Sequence, residues 1–127
     1  MDNRRHITSG SPFEARAGYS RAVVAGNMVF VSGTVGRDPE TNLIPEGVED
    51  QCRNALAIIA TALAEAGASF ADVVRVVYYL PDRRDFEACW PMLHDAFAAH
   101  PPAATMVEAG LIDAAMKIEI EVTAVIA

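Results

Sequence analysis

Glu119 and Glu121 stand two apart in the run MKIEIEVTAVIA, residues 116–127. Its alternation places Met116, Ile118, Ile120, Val122 and Ala124 on one strand face, and Lys117, Glu119, Glu121, Thr123 and Val125 on the other. A carboxylate taken out of water at a subunit interface gains proton affinity and can hold or activate a water molecule. Glu119, set between Ile118 and Ile120, is the candidate for that role, whereas Glu121 reads as a solvated group. Tyr19 follows Gly18 just ahead of an apolar run, where it could lie over a cleft or pack the core. Trp90 reads as core by its spacing, although an indole N–H seeks a partner when buried.

Other chemistry is absent from the chain. There is no GxGxxG, no GxxxxGK[ST] and no GxSxG, and Ser32 in VSGT has no adjacent base to activate it. His6, His94 and His100 do not stand at ligand spacing, and no metal site is expected. Cys52 and Cys89 form no CxxC pair and lie among apolar neighbours, so both are expected as buried free thiols.

The stretch HPPAATMVEAGL, residues 100–111, is unusual in another way. Pro101 and Pro102 end any preceding helix, and a short strand follows with two alanines at its entrance. Alanine is a poor strand former, so Ala103 and Ala104 suggest tight space or the wall of an empty pocket.

The elements that position these residues follow from pattern. The 127 residues form one domain, with 1–18 polar, irregular and partly flexible. Residues 21–25 and 28–33 are apolar runs joined by Gly26-Asn27, a tight hairpin. Val48, Cys52, Ala55, Leu56, Ile59, Leu63 and Ala66 make one helical face, with Gly67 at the C-terminal cap. Residues 73–80, VVRVVYYL, read as a strand.

A second helix starts near Asp82 or Asp85 and turns Phe86, Cys89, Trp90, Leu93 and Phe97 inward. Pro91 within it costs about 3 kcal/mol or more, so a kink or a restart is expected there. The order β-β-α-β-α-β-β implies an α+β fold, a mixed β-sheet with two helices on one face. The other face keeps apolar side chains that no helix covers, which implies oligomerisation through the sheet.

The net charge of −7 and the scattered basic residues argue against a nucleic-acid partner. No apolar run reaches membrane-spanning length, and MDNRRHITSGSPFEARAG lacks the apolar core of a signal peptide. A cytoplasmic protein is expected.

The segments AGYSRAVVAGNMVFVSGTVGRDPETN, DQCRNALAIIATALAEAGASFADVVRVVYYLPDRRDFEA and MKIEIEVTAV together resemble the RidA/YjgF family, also called L-PSP endoribonucleases or translation initiation inhibitors. The likeness runs from about Ile7 to Ala124. It implies a chorismate-mutase-like fold and a homotrimer with a central β-barrel and ligand clefts between subunits. It also implies hydrolysis of reactive enamines or imines to a keto acid and ammonia, with no metal or organic cofactor.

Carried over by position, the family's pocket tyrosine is Tyr19, its Ser-Gly pair is Ser32-Gly33 and its water-positioning glutamate is Glu119. The family's carboxylate-binding arginine falls within Pro102-Ala103-Ala104-Thr105, at Ala104, and its pocket asparagine falls on Trp90. Losing a charge-assisted arginine contact, worth roughly 1.5–3 kcal/mol, points to a flatter, less anionic small-molecule substrate stacked on Trp90. Arg16, Arg21, Arg37 or Arg75 could replace the cation, though each reads as a solvated surface group. A non-catalytic metabolite-binding or holdase-like trimer is the competing reading, and an endoribonuclease a weaker one.

Overall fold

The computed structural model describes residues 4–127. Its elements are β1 (Arg4–Ile7), α1 (Pro12–Ala17), β2 (Ala22–Ala25), β3 (Met28–Val35), α2 (Val48–Glu65), β4 (Val73–Leu80), α3 (Phe86–Phe97), β5 (Ala103–Glu108) and β6 (Glu119–Val125). Six strands form one sheet in the order β1-β2-β3-β6-β4-β5. β4 and β5 run parallel, and every other neighbouring pair is antiparallel. The fold is α+β with a mixed sheet.

The two strongest periodic patterns become the core. All seven residues of the helical face from Val48 to Ala66 are buried, as are Ile118, Ile120, Val122 and Ala124 along the last strand. α2 ends where Gly67, at φ +83°, turns the chain. The Gly67 N–H donates to the Ala64 carbonyl at 3.0 Å and the Ala68 N–H to Leu63 at 2.8 Å, which satisfies the carbonyls of the last turn. Cys52 and Cys89 are buried free thiols. Among the described residues no helix is long and apolar enough to cross a membrane.

Three expectations are corrected. Residues 4–18 are not irregular throughout: β1 pairs with β2, and Ser11 caps a six-residue α1, accepting from the Phe13 N–H, while the part of that expectation on residues 1–3 lies outside the described residues. Secondly, α3 runs unbroken through Pro91, with no restart there. The acceptor that the proline leaves empty belongs to exposed Glu87, where water can reach it, while buried Cys89, Leu93 and Phe97 hold the helix in register. Thirdly, Trp90 is not core but 52% exposed. It lies beside the Cys89–Leu93–Phe97 stripe and over the edge strand β5, whose alanines are too small to cover it.

α2 and α3 pack on the sheet face that carries Val76, Tyr78, Ile120 and Val122. The opposite face carries Glu121, Tyr79, Thr123 and Phe30, the last of these 43% exposed. This is the face that α2 and α3 leave uncovered, and it mixes the apolar Phe30 with polar groups. The outer strands β1 and β5 leave two unpaired sheet edges.

Candidate functional site

The pairing of β3 with β6 slips once. Val31 faces Val122 and Thr34 faces Ile120, so Ser32 and Gly33 together stand opposite Glu121 alone. This is a β-bulge, which bends its strand and re-aims the side chains beside it. The Ser32 N–H donates to the Arg21 carbonyl at 2.9 Å, and Ser32 Oγ donates to the Ser20 carbonyl at 2.7 Å. The serine is thereby tied to the segment that carries Tyr19.

Gly33 receives the carboxylate of Glu119. A Cβ at this glycine would overlap Glu119 Oε2 and stand 3.0 Å from its Cδ. Only a residue without a side chain lets the carboxylate rest there. Glu119 is half-buried, and its carboxyl is pushed above the ordinary range by burial first and by the nearby Glu121 charge second, with Arg21 opposing. Glu121 itself accepts a short hydrogen bond from the Tyr79 hydroxyl, which raises the proton affinity of that phenol.

Glu119, Gly33, Tyr19 and Arg21 line one cavity of about 800 Å³, closed on other sides by α1 and the loops around Arg37 and Ile112. Tyr19 is 43% exposed, so it lies over a cleft and does not pack the core. The cavity has no histidine, lysine or cysteine in its wall. Among the described residues no group of acidic, histidine or cysteine side chains could hold a metal ion.

Trp90 and Ala104 line a different cavity, of about 390 Å³, with Tyr78, Phe86, Leu93 and Met106. Ala104 is therefore a pocket wall, and the space beside it is open. The Phe86 ring meets Trp90 edge-on at 6.3 Å and Tyr78 at 5.3 Å, which fixes the indole at the mouth. The two cavities share no lining residue. Thr105 is exposed and lies opposite Val77, one residue out of phase with Ala104, so it points to the other sheet face.

Arg21 is buried, which corrects its reading as a solvated surface group. Its Nη1 donates to Thr34 Oγ1 at 3.0 Å and to the Gly33 carbonyl at 3.3 Å, and its Nε lies 3.4 Å from Glu14 Oε2. Glu14 was not a candidate at all. It is buried at the base of α1 and accepts from Thr8 Oγ1 at 2.8 Å, the Ser9 N–H at 3.1 Å and Ser9 Oγ. Burial pushes its carboxyl up, but the bonds from Ser9 and Thr8 and the Arg21 charge outweigh that and hold it below the ordinary range. The sequence signals of α1 were local ones, a capping serine and Pro12 at its start and Gly18 at its end.

A family model described as Endoribonuclease L-PSP matches residues 9–126. A RutC family protein of Pyrococcus abyssi is 37% identical over 107 residues, 84% of this chain and 84% of that relative. The 2-iminobutanoate/2-iminopropanoate deaminase of Capra hircus is 32% identical over 123 residues, 96% of this chain and 90% of the relative. Among solved structures, a member of the YjgF/YER057c/UK114 family from Mycobacterium tuberculosis superimposes with a TM-score of 0.89 at 38% identity. That match covers 98% of this chain and 100% of the other.

Proposed function

Because this chain belongs to the Endoribonuclease L-PSP family, the RidA/YjgF group, we propose that it is a hydrolytic deaminase of reactive imines and enamines. The observation that carries this reading is the half-buried Glu119 carboxyl resting on Gly33 in a cavity shared with Tyr19. A carboxyl with raised proton affinity can give its proton to an imine nitrogen, then take one from the water that adds to the imine carbon. Glu119 returns that proton to the carbinolamine nitrogen, the C–N bond breaks to release ammonia, and the hydroxyl proton passes back to Glu119 as the carbonyl product forms. Overall, one water is consumed and one ammonia released. An enamine joins the same path after protonation at carbon.

The working unit in this reading is a homotrimer, with its helix-free sheet faces forming a central barrel and small-molecule clefts between subunits. Two unpaired sheet edges and the exposed Phe30 face support association. Each cleft joins the Glu119 cavity of one subunit to the Trp90–Ala104 cavity of the next, which accounts for two half-sites without a common wall. Tyr19 and the Ser32-Gly33 backbone orient the ligand, Trp90 stacks on it, and Thr105 flanks the position of the missing cation. With Ala104 in place of an arginine, the substrate depends less on a carboxylate and more on apolar contact.

A cleft that binds a metabolite without turning it over is the second reading, and it rests on the absence of a cation at Ala104. Ribonuclease chemistry is disfavoured by the net charge of −7, which repels a polyanion, and by the Glu119 cavity, whose wall carries no histidine or lysine beside the carboxyl. The test is to generate imines in situ with an amino-acid oxidase and measure carbonyl product while semicarbazide competes for the imine. Acceleration by the protein, greatest with apolar or aromatic imines, supports deamination. Ligand binding with no acceleration supports the second reading.

A further inference from the structure

We infer that Arg21 is the positioning residue of this site, holding the glycine bulge and the Tyr19 ring in place around Glu119. The inference rests on the reading of Glu119 as the group that handles water and proton. It starts from the bulge, whose extra residue drops out of the strand ladder and leaves a backbone group in need of a partner. Arg21 Nη1 supplies one to the Gly33 carbonyl and shares itself with Thr34 Oγ1, which is fully buried and in turn donates to the Ser32 carbonyl at 2.8 Å. One guanidinium thus ties down the backbone on which the Glu119 carboxylate rests.

The same guanidinium carbon lies 5.5 Å from the centre of the Tyr19 ring, within cation–π range. Two walls of the cavity are therefore referred to one side chain. The side chain is itself fixed from behind: Nε is buried, makes no hydrogen bond among the described residues, and lies 3.4 Å from Glu14 Oε2. Glu14 is anchored by Thr8 and Ser9, so the chain of contacts runs from the loop ahead of α1 through Glu14 and Arg21 to the bulge. A planar fork with several fixed donors suits this task, and a lysine ammonium does not.

Arg21 also supplies positive charge where it opposes the upward push on the Glu119 carboxyl. The other charged or titratable groups around Glu119 are Glu121 on its own strand, Tyr79 opposite on β4, Tyr19 and Glu14 in the cavity wall, and Arg37, Asp38 and Asp113 from the loops. Of these, Glu121 adds to the push, and Arg21 reduces it.

The test is a pH titration of the side-chain carboxyls by ¹³C NMR in glutamate-labelled protein, with Glu119 assigned through Glu119→Gln. Folded Arg21→Gln is expected to titrate Glu119 at a higher midpoint than the native protein, with Arg21→Lys in between. In the imine assay, kcat falls in Arg21→Gln with little change in KM, and its alkaline limb, where Glu119 loses the proton it gives to the imine, moves to higher pH. If Arg21→Gln fails to fold, the double variant Glu14→Gln/Arg21→Gln removes the buried pair together and is titrated in its place. An unchanged Glu119 midpoint in a folded variant overturns the assignment. A shifted midpoint in a protein that turns over no imine leaves Arg21 as the positioning residue and removes the deaminase reading.

Discussion

The carboxylate of Glu119 rests on the bare Cα of Gly33, where a Cβ would overlap Oε2 and come within 3.0 Å of Cδ. Strand pairing brings the two residues together through a bulge, since an unbulged β3 would carry Thr34 and Val35 one place out of step with β6. The glycine and the glutamate are one feature of the fold, and several outcomes follow from it.

Gly33→Ala should fold, because the atoms in its way belong to the end of a flexible side chain and not to backbone. The displaced carboxylate should cost about 100-fold in imine turnover, the scale of a misplacement of about 1 Å. Thermal melting and kinetics on one preparation separate the two effects. A fully active Gly33→Ala would refute the contact.

Gly36→Ala should behave in the opposite way. Its Cβ would run into the backbone of Gln51 at the start of α2, which has no rotamer to change. A loss of about 3 kcal/mol or more in denaturant unfolding is expected, beyond ordinary overpacking.

Gln51 carries the loop that leads into β6. Fully buried, it donates through Nε2 to the Pro45 carbonyl at 2.7 Å and to the Ala115 carbonyl at 2.9 Å, and accepts from the Lys117 N–H at 2.8 Å. Gln51→Leu leaves three backbone groups unpartnered, at roughly 1–3 kcal/mol for each one kept from water. Stability should fall, and hydrogen exchange at Lys117 should quicken ahead of the core amides.

Ala104→Arg should restore a carboxylate contact. The cavity beside Ala104 measures about 390 Å³ and its mouth is open, so the longer side chain has room. Turnover of small carboxylate-bearing imines should rise about 10- to 100-fold, with aromatic imines losing part of their advantage. Unchanged selectivity would show that Ala104 does not face the substrate.

Glu14 and Glu119, both in the cavity wall, should pull stability in opposite directions with pH. Glu14 lies below its unfolded value when folded, so its contribution is present above that value and lost as pH falls through the folded one. Glu14→Gln should therefore lower the melting temperature at neutral pH, with the gap closing in acid. Glu119 lies above its unfolded value, so its contribution is full in acid and lost as pH rises through the folded value. Glu119→Gln should match or exceed the native protein at neutral pH and lose that advantage below the ordinary carboxylate range.

Periodicity made α2 and β6 legible, since burial of one face forces spacing at 3.6 or at 2 residues. The hairpin at Gly26-Asn27 and the cap at Gly67 were legible for an equally local reason. β1 was not: a four-residue edge strand with three exposed positions shows no alternation. α1, at six residues, is too short for a stripe.

Glu119 and Tyr19 stood out from strand alternation and position, likeness to a family added Gly33, and all three line one cavity. Glu14 and Arg21 look like any surface charges until the fold buries them against each other. Trp90 misled because a neighbour of a helical stripe is one turn-step from the core, and only β5 decides whether anything covers it. Pro91 left a kink and a restart both open, and only the packed helix, with the empty acceptor at solvent, excludes the restart.

The central claim is that Glu119 performs imine hydrolysis, and the measurement that reaches it most directly compares native protein with Glu119→Gln. Imines made in situ from a graded series of amino acids would be followed to carbonyl product under semicarbazide competition, with folding of both proteins checked by melting. The account predicts acceleration by the native protein and its loss in a folded Glu119→Gln. Equal acceleration by both proteins, or none by either across the series, would contradict it.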